Sequence, residues 1–461
     1  MKISHYLLAG LAVLGFTACS SDDDLSSGGD NQGETGSNTY LSISLTSPMG
    51  TGTRTEPGTE DSDSDINNVL VLLADPSTHK VVASARPTMS GTSSEPFKVP
   101  KGNYDVYTII NAKDAVKDYF AGGGIDKSVQ DVITIGSTAD VYSEAKDFTM
   151  LNQNNEITSD NPEENKWGGV NVTITAENTV GNPAKPDKAI SVERFVAKLR
   201  DKTGAINIED LDGIVDVVTN EPLFNGVTSK AIIPLNGKKT ANLFQKWIAH
   251  TDAALGRIME TPEVKDANTE FYNKKGELSA IKDPSYTKNI HHVIENKPAL
   301  VPEGQAGAGL PLTSETTGVI FKMQFTLDGQ AISEFYFYDG YYYKEKAGLV
   351  DAYNKANPDD LIDTETSNAD LREKEIKVYE SGVAYYTYWV KDKNYLIKDK
   401  PYYVVHRNAI YDLIVKNIYN MGADEPGGEL PTDPEPVEEP TYLEVKIDVV
   451  PWLISENEID F

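Results

Sequence analysis

Short stretches in which apolar and polar residues alternate recur along the chain, and this two-residue period is typical of half-buried β-strands. The first is residues 40–45 (YLSISL), in which Leu41, Ile43 and Leu45 share one face. Further strand-like segments, bounded by turn residues, lie at 69–74, 80–85, 104–111, 131–135, 169–176 and 191–199. Their spacing predicts an antiparallel β-sandwich in the first half of the chain.

A second block of strands is predicted in the other half. Asp328-Gly329 and Asp339-Gly340 are hairpin signals that flank residues 331–338 (AISEFYFY). Residues 241–259 have helical spacing and follow Asn and Thr, so we expect a helical insertion there. Residues 260–315, including the His291-His292 pair, are interpreted as long polar excursions outside the core.

The C-terminal end combines a linker with one more alternating stretch. Residues 421–441 are rich in Pro, Gly and acidic residues, which predicts an extended linker. In the following stretch, 442–461, one face carries Leu443, Val445, Ile447 and Val449. A strand on a flexible linker can add to a sheet other than its own, or it can fold back into its own domain. The pattern alone leaves both alternatives open.

The N-terminus has the pattern of a lipoprotein signal peptide. A mildly basic start precedes an apolar run at residues 6–16 and the small residues Thr17-Ala18, so residues 1–18 are predicted to be removed. The run is too short for a membrane-spanning helix, which needs about 20 residues. Cys19 is the single cysteine of the chain and is predicted to carry the lipid. The acidic stretch 20–24 (SSDDD) that follows resembles a surface-export signal of outer-membrane lipoproteins, an interpretation we favour over a simple solvated tether.

Composition limits the possible functions. A net charge of −29 and a pI near 4.6 argue against a nucleic-acid partner, which requires clustered Lys and Arg. Asp61, Asp63 and Asp65 resemble the start of a calcium loop, but Ile66 replaces its glycine. No spacing of His, Ser or Gly residues matches a catalytic or nucleotide-binding motif, so we predict no enzyme activity, cofactor or metal. The aromatic run 335–343 could stack on glycans, although a packed hairpin is the favoured interpretation.

Several segments together resemble the fimbrillins of type V pili. The first is Arg54, the only Lys or Arg between Lys2 and Lys80. The others are the segment 192–199 (VERFVAKL), the segment 407–422 (RNAIYDLIVKNIYNMG) and the ending 445–461 (VKIDVVPWLISENEIDF). The likeness in order and spacing covers most of the chain, whereas the region 236–315 departs from the family pattern.

The resemblance implies two tandem transthyretin-like β-sandwich domains, at 55–200 and 201–420, with a helical or loop insertion in the second. It also implies a structural subunit that is cut by a trypsin-like protease after Arg54, which leaves Thr55 as the new N-terminus. Cutting would release the lipidated segment 19–54 with its removable strand of Leu41, Ile43 and Leu45.

A neighbouring subunit's strand 442–461 would then fill the groove. The strand residues implied in this donor role are Leu443, Val445, Ile447, Val449 and Trp452. Burial of the four aliphatic side chains would contribute roughly 6–10 kcal/mol gross.

The expected partners are other copies of the chain or related subunits, the maturation protease, and the outer membrane through the lipid before cleavage. The expected location is a cell-surface fimbria that supports adhesion. An accessory or tip subunit of the same family is the first alternative. A surface glycan-binding lipoprotein, which predicts exposed aromatic rings on one face, is the alternative from another class.

Overall fold

The structure is a computed structural model that describes residues 38–46, 66–135, 139, 147–154, 167–249, 257–397, 400–438 and 442–451. The predicted signal peptide, Cys19, Arg54, Thr55, the Asp61–Asp65 cluster and Trp452 lie outside the described residues.

The described residues are mostly β-structure, as the alternating pattern predicts. The strands of the first part are β1 Tyr40–Leu41, β2 Leu45–Thr46, β3 Val69–Ala74, β4 Val81–Ala85, β5 Met89–Ser90, β6 Ser93–Ser94, β7 Phe97–Lys98, β8 Gly102–Ile110, β9 Val132–Thr134, β10 Met150–Asn152, β11 Val170–Ile174, β12 Ile190–Arg194 and β13 Val196–Asp201. Those of the second part are β14 Gly226–Leu235, β15 Gly237–Lys238, β16 Thr240–Asn242, β17 Lys246–Ala249, β18 Arg257–Glu260, β19 Phe271–Tyr272, β20 Ile290–Ile294, β21 Gly318–Leu327, β22 Gln330–Ala331, β23 Phe335–Tyr338, β24 Tyr341–Tyr343, β25 Lys377–Tyr379, β26 Val383–Trp389, β27 Asp392–Ile397, β28 Lys400–Tyr402, β29 Ala409–Ile418 and β30 Leu443–Pro451.

Helices are few and short among the described residues. The α-helices are α1 Asp114–Tyr119, α2 Ala267–Glu270, α3 Lys346–Ala356 and α4 Asn368–Glu373. Single 3-10 turns occur at Ala121–Gly123, Glu209–Leu211, Ser279–Lys282 and Glu380–Gly382.

The first part is built on one sheet with the strand order β2-β12-β10-β8-β3-β4, and β11 also pairs with β8. Strand β3 (VLVLLA) is apolar throughout because both of its faces are buried. Leu70 and Leu72 face a core that also contains Phe120. Val71 and Leu73 face a second core on the other side of the sheet.

The second part is a sandwich of two sheets that share one core. One sheet has the order β20-β13-β29-β30, and the other has β14-β21 with β26 beside β21. Their inner faces meet through apolar side chains such as Leu199, Phe321, Tyr386 and Tyr411. The Asp-Gly pairs form the predicted hairpins, because β21 turns into β22 and β23 turns into β24.

Strand β13 crosses the predicted domain boundary at residue 200. It directly follows β12 of the first sheet, yet it pairs in parallel with β29 and antiparallel with β20. The boundary at residue 200 therefore falls inside a strand whose partners all belong to the second part of the chain.

Two predictions for the middle of the chain are wrong. The expected helix over 241–259 is replaced by β16, which pairs with β9, and by the hairpin of β17 and β18. The expected excursion over 260–315 contains β20, whose Val293 and Ile294 are fully buried, and His291 lies in the same strand rather than in a loop. Tertiary pairing and burial override the local pattern here.

Candidate functional site

Residues 39–46 lie between two other backbone segments and are called the N-terminal insert below. On one side, the amide of Leu45 donates to the carbonyl oxygen of Thr92 at 2.8 Å. The carbonyl oxygen of Ile43 accepts from the amide of Ser94 at 3.0 Å. The insert therefore completes a short β-ladder along this side.

The opposite side of the N-terminal insert is hydrogen-bonded as well. The amide of Ser42 donates to the carbonyl oxygen of Ala184 at 2.9 Å. The amide of Ile190 donates to the carbonyl oxygen of Ser44 at 2.7 Å. Strand β2 also pairs in parallel with β12. Because hydrogen bonds run to both sides, loss of the insert would leave two unpaired backbone edges facing each other.

The apolar face of the N-terminal insert is the one that the sequence predicts. Leu41, Ile43 and Leu45 are 0%, 1% and 4% exposed. They belong to the core that also contains Val71 and Val106 of the central sheet. Removal of the insert would therefore open an apolar slot between the two edges.

The C-terminal strand β30 folds back onto its own chain. It pairs antiparallel with β29 from Leu443 opposite Ile418 to Pro451 opposite Ala409. This arrangement is one of the two alternatives that the sequence leaves open. In this structure β30 thus occupies the end of the sheet β20-β13-β29-β30.

The predicted faces of β30 agree with its burial. Leu443 and Val449 are buried, and Val445 and Ile447 are half-buried against the core of the sandwich. On the other face, Asp448 pairs with Nζ of Lys393 at 2.7 Å. The strand therefore carries one apolar face and one charged face.

Residues 421–438, called the C-terminal strap, do not form the extended linker that their composition predicts. Ala423 exchanges two backbone hydrogen bonds with Tyr385, at 2.8 and 3.0 Å. Val437 is fully buried, and its amide donates to the carbonyl oxygen of Pro311 at 2.8 Å. The linker prediction is wrong for these residues because their polar groups find partners on the folded domain.

Acidic side chains attach the C-terminal strap to neighbouring elements. Asp424 accepts hydrogen bonds from Nε of Arg372 and from the amide of Val378, both at 2.9 Å. Glu425 forms an ion pair with Lys282. Arg372 lies on α4, so the helical region contacts the strap that precedes β30.

The Arg407-Asn408 motif forms a buried turn before β29. Arg407 and Glu295 are an ion pair without solvent exposure, with distances of 2.7 Å from Nε to Oε2 and 2.6 Å from Nη2 to Oε1. Arg407 also donates to the carbonyl oxygens of Leu243 and Asn242 at 3.0 and 2.8 Å. Sequence reasoning missed Glu295, which is 112 residues away and has no local signal.

Asn408 and Tyr411 complete this turn. Asn408 has a φ of 56°, a left-handed conformation that Asn tolerates better than most residues. Its Oδ1 accepts the amide of Arg194 at 3.2 Å, which joins the motif to the segment 192–199. The hydroxyl of Tyr411 accepts the amide of His406 at 2.8 Å and donates to Asp392 at 3.1 Å. Burial, together with the charge of Asp392, raises the pKa of Tyr411 well above its usual value.

The aromatic run 335–343 packs as a hairpin. Phe335 stacks on Tyr379 with ring centroids 4.6 Å apart, and Phe337 packs on Tyr342 at 4.7 Å. Tyr341, at the turn, is 55% exposed. The favoured hairpin interpretation accounts for these contacts.

The described residues contain no group of three or more His, Cys, Asp or Glu side chains arranged to hold a metal ion. Within those same residues, no helix combines the length and the apolar character needed to span a membrane.

Residues 377–458 match the family described as major fimbrial subunit protein type IV, fimbrillin, C-terminal. The matched region contains the C-terminal strap, the Arg407-Asn408 turn and strands β29 and β30. The resemblance to the fimbrillins is therefore confirmed over this part of the chain. A comparison with curated proteins finds no match.

Solved structures that are similar to this chain include a fimbrilin (FimA) from Porphyromonas gingivalis. The two share 15% identity, the alignment covers 91% of this chain and 99% of that chain, and the TM-score is 0.45. The C-terminally truncated tip fimbrial protein of Porphyromonas gingivalis shares 15% identity over 90% and 99% of the two chains, with a TM-score of 0.37. A candidate cell adhesion protein from Parabacteroides distasonis shares 14% identity over 90% and 99%, with a TM-score of 0.47.

Proposed function

We propose that the chain is a structural subunit of a cell-surface fimbria that supports adhesion. It is exported as an outer-membrane lipoprotein through Cys19 and is matured by a protease that cuts after Arg54. The mature subunits, starting at Thr55, polymerise by exchange of their C-terminal strands. The match of residues 377–458 to a fimbrial subunit family supports the general role.

The observation that carries the exchange step is the environment of the N-terminal insert. It lies upstream of Arg54, it is hydrogen-bonded on both sides, and Leu41, Ile43 and Leu45 fill an apolar slot. Cleavage alone does not remove a segment with such contacts, so an incoming strand has to replace them as the insert leaves. An unfilled slot would be costly, at about 1.5–3 kcal/mol for each exposed aliphatic side chain.

Strand β30 has the properties that this slot requires. Leu443, Val445 and Ile447 have the same two-residue spacing as the three apolar residues of the insert. Trp452 follows the strand directly. An incoming β30 would offer backbone donors and acceptors to both edges, which sets its direction and register. Because each subunit gives one strand and receives another, the contact is head-to-tail and yields an open filament.

The test uses a protease that cuts only after Arg, because Lys residues are abundant on the surface. Arg86 is followed by Pro87, and Arg194 and Arg407 are buried. The side chains of Arg200 and Arg372 are 15% and 18% exposed and ion-paired, and Arg257 lies in the paired strand β18, so all six positions are poor sites. We expect one early cut after Arg54 in the purified lipoprotein. Heat-sensitive ladders of multimers on a gel without boiling, and filaments in electron micrographs, should follow.

Two matched variants control this experiment. Arg54→Ala should block both the cut and the ladder, and deletion of residues 442–461 should allow the cut but abolish the ladder. A cut chain that stays monomeric with residues 442–461 intact would refute the exchange role. Capping of filaments formed by another subunit, without self-assembly, would instead identify an accessory or tip subunit.

A further inference from the structure

The C-terminal strap is attached to the folded domain near both of its ends. Near its start, Ala423 exchanges two backbone hydrogen bonds with Tyr385 of β26, at 2.8 and 3.0 Å. The carboxylate of Glu429 accepts the amides of Thr387 and Ala423, both at 3.2 Å. This part of the strap therefore lies along the edge of β26 that faces away from β21, and these polar groups are paired there.

The far end of the strap forms a second attachment. Leu312 and Pro436 are directly opposite each other in an antiparallel bridge. The amide of Val437 donates to the carbonyl oxygen of Pro311 at 2.8 Å. The Val437 side chain is fully buried in an apolar core that includes Ile320 of β21. The strap is thus part of the folded domain as far as Val437.

Strand β30 is held in a different way. It is the last strand of its sheet, and among the described residues its strand partner is β29. Its nine residues, Leu443–Pro451, match in length the N-terminal insert at 39–46, whose slot would receive it. Transfer to that slot would replace the ladder that β30 leaves. A slot of this length has no room for the strap, so the contacts of the strap would be lost without replacement if it left with β30.

The chain between the strap and β30 is short. Six residues lead from Val437 to Leu443, the first residue of β30. Even when fully extended, six residues span at most about 20 Å. A docked strap therefore requires that the slot of the receiving subunit begin within this distance of Val437.

The surface beside the end of the strap suits such a close contact. The loop 304–309 (GQAGAG) packs on the strap, since a Cβ at Gly307 would collide with the ring of Pro436. Five of the six loop residues are exposed, and none is charged, although 25% of the residues in the chain are charged. Two copies with a net charge of −29 repel each other, so an uncharged surface of small residues favours their approach.

We propose that the C-terminal strap stays docked when β30 is exchanged, and that the surface around residues 304–309 contacts the subunit that receives β30. The partner is a second copy of this chain. The strap thus fixes where the neighbouring subunit binds, and it does not serve as a long linker between subunits. This inference rests on the proposed function, because it concerns the copy that takes up β30.

Two engineered disulfide bonds separate movement of the strap from movement of β30. Leu312→Cys/Pro436→Cys joins the strap to the domain, and Ile414→Cys/Lys446→Cys joins β30 to β29, in both cases at directly opposite residues. Such residues have Cα atoms about 4.5–5.5 Å apart, within the range for a disulfide. The single natural cysteine, Cys19, precedes the proposed cut, so no other thiol competes in the mature chain.

Each variant is cut with the Arg-specific protease in the oxidised state and again after reduction. We expect the strap-locked variant to form multimer ladders to the same extent in both states. The β30-locked variant should form ladders only after reduction. The reduced samples are the matched controls, because they carry the same substitutions without the crosslink.

The outcomes separate this inference from the proposed function. If the strap-locked variant forms ladders only after reduction, the strap has to leave its place, and the proposal is overturned. If the oxidised β30-locked variant forms ladders, or if the wild type forms none, the exchange step itself is wrong.

A photo-crosslinker tests the contact with the neighbouring subunit. Gln305→Cys places a free thiol on the exposed loop, since the proposed lipid occupies Cys19, and a benzophenone label is attached there before cutting. Illumination of the filaments should join neighbouring subunits through residue 305. The same labelled chain, uncut and at equal concentration, should give no crosslinked dimer. Filaments without a crosslink between subunits would overturn the assignment of this surface.

Discussion

Replacement of Arg407 by Met tests the buried turn before β29. The variant keeps an apolar side chain near the Phe195 ring, which lies 5.1 Å from the guanidinium carbon, but it removes both bonds to Glu295. Glu295 then retains Nε2 of the Gln245 side chain, at 3.1 Å, as a hydrogen-bond donor. An unpaired buried charge of this kind costs about 3–5 kcal/mol, because the carboxylate loses its partner and gains no water.

Differential scanning calorimetry of the uncut chain gives the size of this effect. For a folding unit of 150–250 residues, about 3–5 kcal/mol corresponds to a fall in Tm of roughly 6–20 °C. The transition that contains β29 and β30 should move by this amount.

Two further variants distinguish a buried ion pair from an ordinary one. Arg200→Met removes a bidentate pair with Asp412 whose side chains are 15% and 17% exposed, so water can replace the lost partner and about 1 kcal/mol or less is expected. The double variant Arg407→Met/Glu295→Met removes both charges and should be more stable than Arg407→Met alone. A loss below 1 kcal/mol in Arg407→Met, or strictly additive losses in the double variant, would contradict the reasoning.

Three other substitutions test the N-terminal insert, strand β30 and the C-terminal strap. Leu41→Ala should destabilise the uncut chain by about 2–5 kcal/mol in urea unfolding, because it empties a fully buried site, but it should leave the assembled filament unchanged if residue 41 departs with the insert. Gly422→Val should increase exchange in the strap several-fold, because even a Cβ at this position collides with the carbonyl oxygen of Tyr385; normal protection would contradict this contact. Leu443→Asp should permit cleavage after Arg54 but abolish multimer ladders, since it places a charge on the apolar face, and undiminished ladders would argue against β30 as the donor.

The sequence predicts local faces better than it predicts partners. The two-residue period at 40–45 correctly places Leu41, Ile43 and Leu45 on a buried face, because alternation is a local property of an extended backbone. The same period in β30 defines an apolar face but leaves open which sheet receives it. In the structure that sheet is its own, through the full ladder with β29.

Local signals fail where distant contacts supply the stabilising energy. Residues 241–259 have helical spacing, yet β16 and β17 are strands because their neighbours offer open edges and an apolar core. The strap has the composition of a linker, yet Asp424 and Glu429 hold it to the domain through an arginine and a backbone amide. Neither partner can be recognised from the residues beside it in the chain.

By itself the sequence determined the mostly β fold, the alternating faces of residues 40–45 and of β30, and the fimbrillin-like motifs at 407–422 and 445–461. All three depend on short-range periodicity or on spacing that is visible in a single segment. The tertiary structure alone decided that Arg407 pairs with Glu295, that the C-terminal strap is hydrogen-bonded to the edge of β26 and that β30 lies beside β29. These features join residues far apart in the chain, and burial sets their strength because it removes the water that would otherwise compete for each polar group.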